Sequence, residues 1–269
     1  MEVGLLGPLV VEERGISIVP NAHKPRKVLA LLAVHADRIV TVPSLMEEIW
    51  GDAVPRSAAT TLQTYILQLR RMIDSALRDD HGSQAKDVLI TRHGGYQLRV
   101  QPGWSDVAEF NRLVDTGRRA FELGDDRSAS LLLSRALDLW RGSALVDVQI
   151  GRLLELDVLG LEETRMSVLE LRIEADLRLG RHSGVIGELR VLNARHPMQE
   201  NLCLLLMLAL YRAGKGSRAL EAFHTLRKTL NEELGIEPSV RVQRLQHAIL
   251  CGDPALELSS EKSVERLAV

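Results

Sequence analysis

The stretch from Ser57 to Met72, which reads SAATTLQTYILQLRRM, carries polar groups of the kind that contact nucleic acid. At about 100° per residue its apolar side chains fall on one stripe of a helix, while hydroxyl, amide and guanidinium groups fall opposite. Such groups suit base edges and phosphates in a DNA major groove. No carboxylate that would repel phosphate occurs between Ser57 and Ile73. The stretch therefore predicts an amphipathic helix able to enter that groove.

The helical periodicity divides this stretch into a core face and a DNA face. The predicted core face consists of Leu62, Tyr65, Ile66, Leu69 and Ile73. The predicted DNA face carries Ser57, Thr60, Thr64, Gln68 and Arg71, with Thr61 and Arg70 on its shoulders. Ser57 is also expected to cap the helix. An ordinary surface helix with polar residues by chance is the alternative.

A β-hairpin is predicted close behind this helix, between Val88 and Val100. Two alternating β-prone runs flank Gly94-Gly95, which is a strong turn signal. Arg92 and His93 are expected at the tip, where a wing would contact phosphate or the minor groove. A plain hairpin that closes the domain is the alternative, with Arg92 a solvated charge. Helix and hairpin together favour a winged-helix DNA-binding domain.

The residues before this helix predict the remaining elements of such a domain. Short strands are expected over residues 2–6, 9–13, 16–19 and 38–42, and helices are expected to begin at residues 24–27 and at Pro43. Pro25 suits a first helical turn because its missing N–H is not needed there. A polar connection is expected over residues 79–85. Seven basic residues lie on the expected DNA side: Lys24, Arg26, Lys27, Arg56, Arg70, Arg71 and Arg92.

The sequence beyond Pro102-Gly103, the predicted domain boundary, is helical in pattern. Helices are expected at about 106–123, 127–140, 152–180, 183–196, 199–214, 216–233 and 238–250. The segments ending at Gly180 and Gly214 lie 34 residues apart, the period of a tetratricopeptide repeat. An irregular helical bundle is the alternative. Asp106 to Glu109 has the spacing of a capping box.

The fold class expected is mainly α, with an α+β winged-helix domain followed by an all-α tetratricopeptide-like domain. The predicted ranges are 1–101 for the DNA-binding domain, 104–252 for the helical domain and 253–269 for a charged, flexible tail. The chain has 269 residues, of which 45% are hydrophobic and 26% charged. These values are typical of globular proteins. The small net charge of −2 predicts weak non-specific DNA binding, so base contacts or several bound copies would be required.

Catalysis is not predicted from this sequence. It contains no HExxH, CxxC, GxSxG or GxGxxG motif, and its eight histidines are scattered. No catalytic residue, metal ligand or cofactor is therefore predicted. Cys203 and Cys251 are expected to be reduced core residues. The longest apolar run, residues 202–211, is too short to span a membrane, and the protein is expected in the cytoplasm, associated with the nucleoid.

The sequence up to about Leu256 resembles the Streptomyces antibiotic regulatory proteins. In the first half the resemblance rests on Leu5–Leu9, Lys24–Lys27, Leu45–Gly51, Thr61–Ile66, Leu69–Arg71 and Gly95–Leu98. In the second half it rests on Leu137–Gly142, Leu179–His182, Leu210–Gly214 and Glu232–Pro238. The family joins an OmpR-type winged helix to a bacterial transcriptional activation domain of tetratricopeptide-like fold.

The resemblance implies an activator of antibiotic biosynthesis genes that binds promoter direct repeats overlapping the −35 region. It implies recruitment of RNA polymerase holoenzyme through its sigma factor, with the alpha and beta subunits as further candidates, and a second copy of the chain beside the first on double-stranded DNA. Within this scheme Lys24, Arg26 and Lys27 would hold phosphate, and Arg92 and His93 would contact the adjacent backbone or the minor groove. The loop from Gly51 to Arg56 and the helical half would face polymerase. A protein-interaction adaptor and a repressor remain as alternatives.

Overall fold

The computed structural model describes residues 1–77, 84–101 and 105–257, which fall into two compact units. Unit 1 comprises Met1–Asp115 and Arg135–Ser167, and unit 2 comprises Thr116–Ser134 and Val168–Val269. Unit 1 thus combines the expected DNA-binding part with residues from the helical half. The predicted boundary at residues 102–103, most of the predicted connection at 79–85 and the tail from residue 258 lie outside the described residues. The domain limits drawn from the sequence stay a prediction.

Unit 1 begins with a small antiparallel sheet, followed by three longer helices, one short helix and a hairpin. The sheet has the order β1-β2-β3, from Glu2–Gly4, Val10–Glu13 and Ile16–Ser17. Then come α1 (His23–Val34), β4 (Val40–Thr41), α2 (Val42–Trp50), α3 (Ala58–Ala76), α4 (Ala85–Val88), β5 (Leu89–Arg92) and β6 (Gly95–Leu98). The second sheet has the order β4-β6-β5. The predicted order of elements is confirmed, and the short helix α4 was not foreseen.

The core of unit 1 surrounds α1. Leu29 and Leu32 on this helix are fully buried, since the first sheet, α2, α3 and the hairpin together enclose it. The predicted core face of α3 is confirmed at Leu62, Ile66, Leu69 and Ile73, all at most 2% exposed, while Tyr65 is only partly buried. The hydrophobic stripe of α3 therefore fixes which side of this helix faces outward.

The start of α3 differs from expectation. Ser57 occupies the cap position, but its side chain makes no capping hydrogen bond. Its backbone has φ −88° and ψ 7°, whereas a capping side chain usually stands on extended backbone. The prediction that Ser57 caps α3 is therefore wrong at the level of the side chain. By contrast, the Thr41 hydroxyl does accept the Ser44 N–H at the start of α2, and Gly51 ends that helix with φ +54°.

The predicted helices of the second half are confirmed. They are α5 (Asp106–Glu122), α6 (Asp126–Asp138), α7 (Arg152–Arg178), α8 (His182–Arg195), α9 (Glu200–Arg212), α10 (Gly216–Leu234) and α11 (Val240–Cys251), followed by a 3-10 turn at Pro254–Leu256. The predicted capping box at Asp106 is wrong, because the Asp106 carboxylate instead accepts the backbone N–H groups of Leu5 and Leu6. The cap of α5 comes from the Ser105 hydroxyl, which accepts the Ala108 N–H.

Helix ends in unit 2 repeat the same local geometry. Gly124, Gly180 and Gly214 have φ values of +79°, +75° and +71°, a conformation that favours glycine. After each of them, the next backbone N–H bonds to a carbonyl five residues earlier, and the glycine N–H bonds to a carbonyl three residues earlier. This is the Schellman motif that closes a helix before a turn. The 34-residue spacing of Gly180 and Gly214 thus reflects two equivalent helix ends.

The two cysteines differ in environment. Cys203 is buried in α9, where its thiol lies 3.5 Å from the Ala222 carbonyl oxygen. Cys251 is exposed at the end of α11, 3.6 Å from the His247 ring. The prediction of a core position is confirmed for Cys203 and wrong for Cys251, because the helical pattern alone did not show which face of α11 is covered.

Candidate nucleic-acid interface

The outer face of α3 presents the predicted polar set. Thr60, Thr64, Gln68 and Arg71 are exposed, and Thr61 is partly exposed on the shoulder. The Thr64 hydroxyl donates to the Thr60 carbonyl at 3.0 Å, so its single proton is used within the helix. Its lone pairs remain available to accept a hydrogen bond. The face as a whole combines acceptors, an amide and one guanidinium on a rigid helix.

Two further exposed residues of α3 are not part of the DNA face predicted from the sequence. Gln63 is exposed and Leu67 is 49% exposed, and neither belongs to the predicted core face or the predicted DNA face. At about 100° per residue, Leu67 lies about 20° from Thr60 and about 40° from Arg71 around the helix axis. The helical periodicity alone indicates an outward position for Leu67, whereas its apolar residue type suggests a buried one.

Arg70 ties α3 to the hairpin. Its Nε and Nη2 donate to the Leu89 carbonyl at 3.1 and 2.8 Å, and Nη2 also donates to the Thr91 hydroxyl at 2.8 Å. These bonds fix the angle between the helix and strand β5. The sequence predicted that Arg70 contacts DNA, whereas the structure places most of its hydrogen-bonding capacity on the protein. Arg71, one residue later, points to the exposed side.

The hairpin tip carries the predicted wing residues. Its turn is His93-Gly94, with Gly94 at φ +74°, and Arg92 pairs with Gly95 across it. Both Arg92 and His93 are exposed. The Arg92 Nε donates to the Gln97 side chain at 2.8 Å, and Gln97 in turn donates to the Asp37 carbonyl at 2.9 Å. The wing is therefore held by side-chain bonds at its base while its tip stays open.

Glycine at position 95 serves packing and not the turn. A Cβ on Gly95 would overlap the Val40 carbonyl oxygen of strand β4. The second glycine of the predicted turn pair is thus required because two strands approach closely there.

Some of the basic residues near α1 are partly buried or bonded to the protein, and others are exposed. Arg26 is half-buried and donates to the Pro20 carbonyl at 3.0 Å and to Asp147 at 3.1 and 3.2 Å. Lys27 is also partly buried, whereas Lys24 is exposed with its ammonium 5.7 Å from the Trp50 ring centre. Arg56 and Ser57 are exposed in the loop before α3. The predicted phosphate-binding set is therefore brought only partly to the surface.

Within the part of the chain that the structure describes, no three His, Cys, Asp or Glu side chains are grouped so that they could hold a metal. None of its described helices combines the length and apolar character needed to cross a bilayer.

Two family models match the chain. Residues 19–98 match the family described as transcriptional regulatory protein, C terminal, and residues 105–250 match the bacterial transcriptional activator domain. The first range contains α3 and the wing, and the second contains α5 to α10.

Known proteins from Streptomyces and Mycobacterium resemble the chain over nearly its full length. The regulatory protein DnrI of Streptomyces peucetius is 55% identical over 96% of this chain and 94% of its own. RedD, a transcriptional regulator of Streptomyces coelicolor, is 34% identical over 97% and 73%. The structure of Mycobacterium tuberculosis EmbR in complex with a low affinity phosphopeptide superposes with a TM-score of 0.87 at 32% identity, over 99% of this chain and 68% of that one. The exposed face of α3, the wing and the helical repeats are thus parts of a transcriptional regulator, and the chain belongs to the Streptomyces antibiotic regulatory protein family.

Proposed function

We propose that this chain is a sequence-specific activator that binds direct repeats near the promoter −35 region. It recruits RNA polymerase holoenzyme through the sigma factor and controls antibiotic, or secondary metabolite, biosynthesis genes. The observation that carries the DNA-binding part is the exposed face of α3, which is polar or basic with one leucine and has no carboxylate between residues 57 and 73. The polymerase and gene-cluster parts rest on family membership.

In this proposal the outer face of α3 enters the major groove. Thr60, Thr61, Thr64 and Gln68 face base edges, and Arg71 reaches a base or the backbone. Because the Thr64 proton is used by the Thr60 carbonyl, Thr64 accepts a hydrogen bond from an exocyclic amine of adenine or cytosine. These contacts supply specificity.

Phosphate contacts come from exposed basic residues around this face. Lys24, Arg56, Arg92 and His93 are the candidates, with Ser57 at the helix start. Arg26 is given a structural role within unit 1, because it would have to leave Asp147 in order to bind phosphate. Arg70 positions α3 against the wing and offers only its remaining N–H groups to DNA, and Lys27 plays a secondary part.

Two copies bound head to tail would both lie on one face of the duplex if the repeats are about one helical turn apart. The loop from Gly51 to Arg56, whose Val54 is 49% exposed, and the helical half would then face polymerase. A chain of net charge −2 gains little from non-specific attraction, so the paired sites supply the affinity. This activity places the protein in the cytoplasm, on the nucleoid.

The test is selection of bound duplexes from a random pool, repeated at two salt concentrations. An enriched direct repeat with salt-dependent affinity is expected for the unaltered chain. Arg71→Ala should weaken binding to all duplexes, whereas Thr64→Ala should lower discrimination between sites more than total affinity. Arg218→Ala, which removes an exposed arginine from unit 2, is the matched control and should bind normally.

Absence of enrichment, with no binding at low salt, would overturn the DNA proposal and favour a protein-interaction adaptor. Transcription in vitro from an enriched promoter separates the remaining alternatives, because an activator raises transcript yield and a repressor lowers it. Val54→Ala should keep DNA affinity and lower the activated yield, if the loop faces polymerase as proposed.

A further inference from the structure

Leu67 is an exposed leucine at the edge of the polar outer face of α3. The core of α3 is complete without it, since Leu62, Ile66 and Leu69 already lie between 0% and 2% exposed. Leu67 is 49% exposed and lies within about 40° of Thr60 and Arg71 around the helix. A single exposed leucine is common on protein surfaces, but this one borders the proposed base-reading face, about 20° beyond Thr60 and about 60° from Thr64 around the helix axis.

The major groove contains one prominent apolar group, the C5 methyl of thymine. Hydrogen-bond donors and acceptors of the base edges occupy the rest of the groove floor. A leucine that enters the groove therefore gains apolar contact only where it meets that methyl. The residue one turn before it, Thr64, can accept from an exocyclic amine, and adenine presents such an amine in the same groove. A leucine beside a methyl and a threonine beside an amine together suit an A·T base pair, whereas Thr64 alone would also accept the amine of cytosine.

We propose that Leu67 determines part of the DNA specificity by contacting the methyl group of a thymine in each half-site. The inference rests on the proposed function and adds to it a chemical requirement on the DNA: a thymine at one fixed position of the repeat. Thr64 reads an amine at the same or the neighbouring base pair.

The experiment uses the full chain and an enriched duplex in which each thymine of the half-site is replaced, one at a time, by deoxyuridine. This replacement removes only the methyl group. At one position the unaltered protein should lose about fourfold in affinity, the value expected for one buried methyl group. Leu67→Ala should bind the thymine and uracil duplexes equally well, and it should bind the thymine duplex more weakly than the unaltered protein.

Leu123→Ala is the matched control, because Leu123 is a leucine 86% exposed in unit 2. This variant should keep the full difference between thymine and uracil. Thermal unfolding should show that Leu67→Ala and Leu123→Ala are folded alike, since neither position belongs to the core.

Three results would overturn the inference. If no single uracil replacement weakens the unaltered protein, no thymine methyl is read, although DNA binding itself stands. If Leu67→Ala remains as sensitive as the unaltered protein, the methyl is read by another residue. If no duplex is enriched at all, the proposed function fails and this inference fails with it.

Discussion

Glu48 on α2 and Arg71 on α3 are charged residues on neighbouring helices of unit 1, but they lie in opposite environments. Glu48 is 1% exposed, and its carboxylate accepts backbone N–H groups from Gly151, Leu153 and Leu154 at the start of α7. Arg71 is exposed on the outer face of α3. A buried charge must have its partners within the fold, whereas an exposed one is available to a ligand.

Carboxylates bound to backbone amides recur within unit 1. Asp106 accepts from Leu5 and Leu6, and Asp147 accepts the Leu9 N–H at 2.7 Å. Each bond joins a residue before position 101 to one after position 105. Glu48 bonds in the same way to the start of α7, so residues of both matched family ranges belong to one compact unit. These carboxylates stabilise unit 1, whereas the outer face of α3 stays exposed.

Removal of the Glu48 carboxylate should have the largest effect on stability. Glu48→Ala leaves three backbone N–H groups at the α7 terminus without their acceptor and removes a favourable charge from that helix end. We expect a loss of about 3 kcal/mol in the free energy of unfolding, measured by urea denaturation. Glu155→Ala removes an exposed carboxylate from the same first turn and should cost about 0.5 kcal/mol or less. Equal effects of the two substitutions would contradict the conclusion that the buried Glu48 carboxylate stabilises unit 1.

Arg70 combines features of both, since it bonds to Leu89 and Thr91 within the protein yet borders the proposed DNA face of α3. Arg70→Ala should cost about 1 kcal/mol of stability and also weaken specific DNA binding, because α3 loses its bonds to Leu89 and Thr91. Arg70→Lys should restore little, since an ammonium cannot make the same branched contact. Arg71→Ala should weaken DNA binding with no change in the urea midpoint. A pure binding defect in Arg70→Ala would show that its bonds to the hairpin are dispensable.

The pair of His35 and Asp157 should give a smaller, pH-dependent effect. Their side chains lie 3.2 Å apart, and the hydrogen bond to Asp157 raises the pKa of His35 above its ordinary 6.5, against opposing effects of burial and Arg38. A raised pKa means that the stabilisation is complete below about pH 6.5 and is lost as the pH rises through the folded value. A double-mutant cycle with His35→Gln and Asp157→Asn should therefore give a larger coupling at pH 6 than at pH 8.5. A coupling that grew with pH would contradict this assignment.

The cysteines should differ in rate of modification with no change in fold. Burial, with a contribution from Glu200, raises the pKa of Cys203 to about 12, so its thiolate is scarce at neutral pH. Cys251 is exposed and should react first with a thiol reagent in the folded protein. In denaturant both should react together. Cys251→Ser should abolish the fast reaction, and persistence of that reaction would place the accessible thiol at Cys203.

The patterns that the sequence carried most strongly were local ones. The apolar stripe of α3, the hairpin around Gly94 and the equivalent helix ends at Gly180 and Gly214 follow from periodicity and from backbone conformations open to glycine. They could be predicted because each depends on residues only a few positions apart. The outward position of Thr60 and Gln68 followed from the same stripe.

Tertiary structure alone decided which polar groups are satisfied. Nothing near Arg70 or Arg26 in the sequence indicates that they bond to Leu89 and Asp147, because those partners lie 19 and 121 residues away. Glu48 likewise resembles any solvent-facing residue of α2 until the start of α7, more than a hundred residues later, packs onto it. The sequence determined the elements and the face that is polar, while long-range packing decided which charged side chains bond within the protein and which stay exposed.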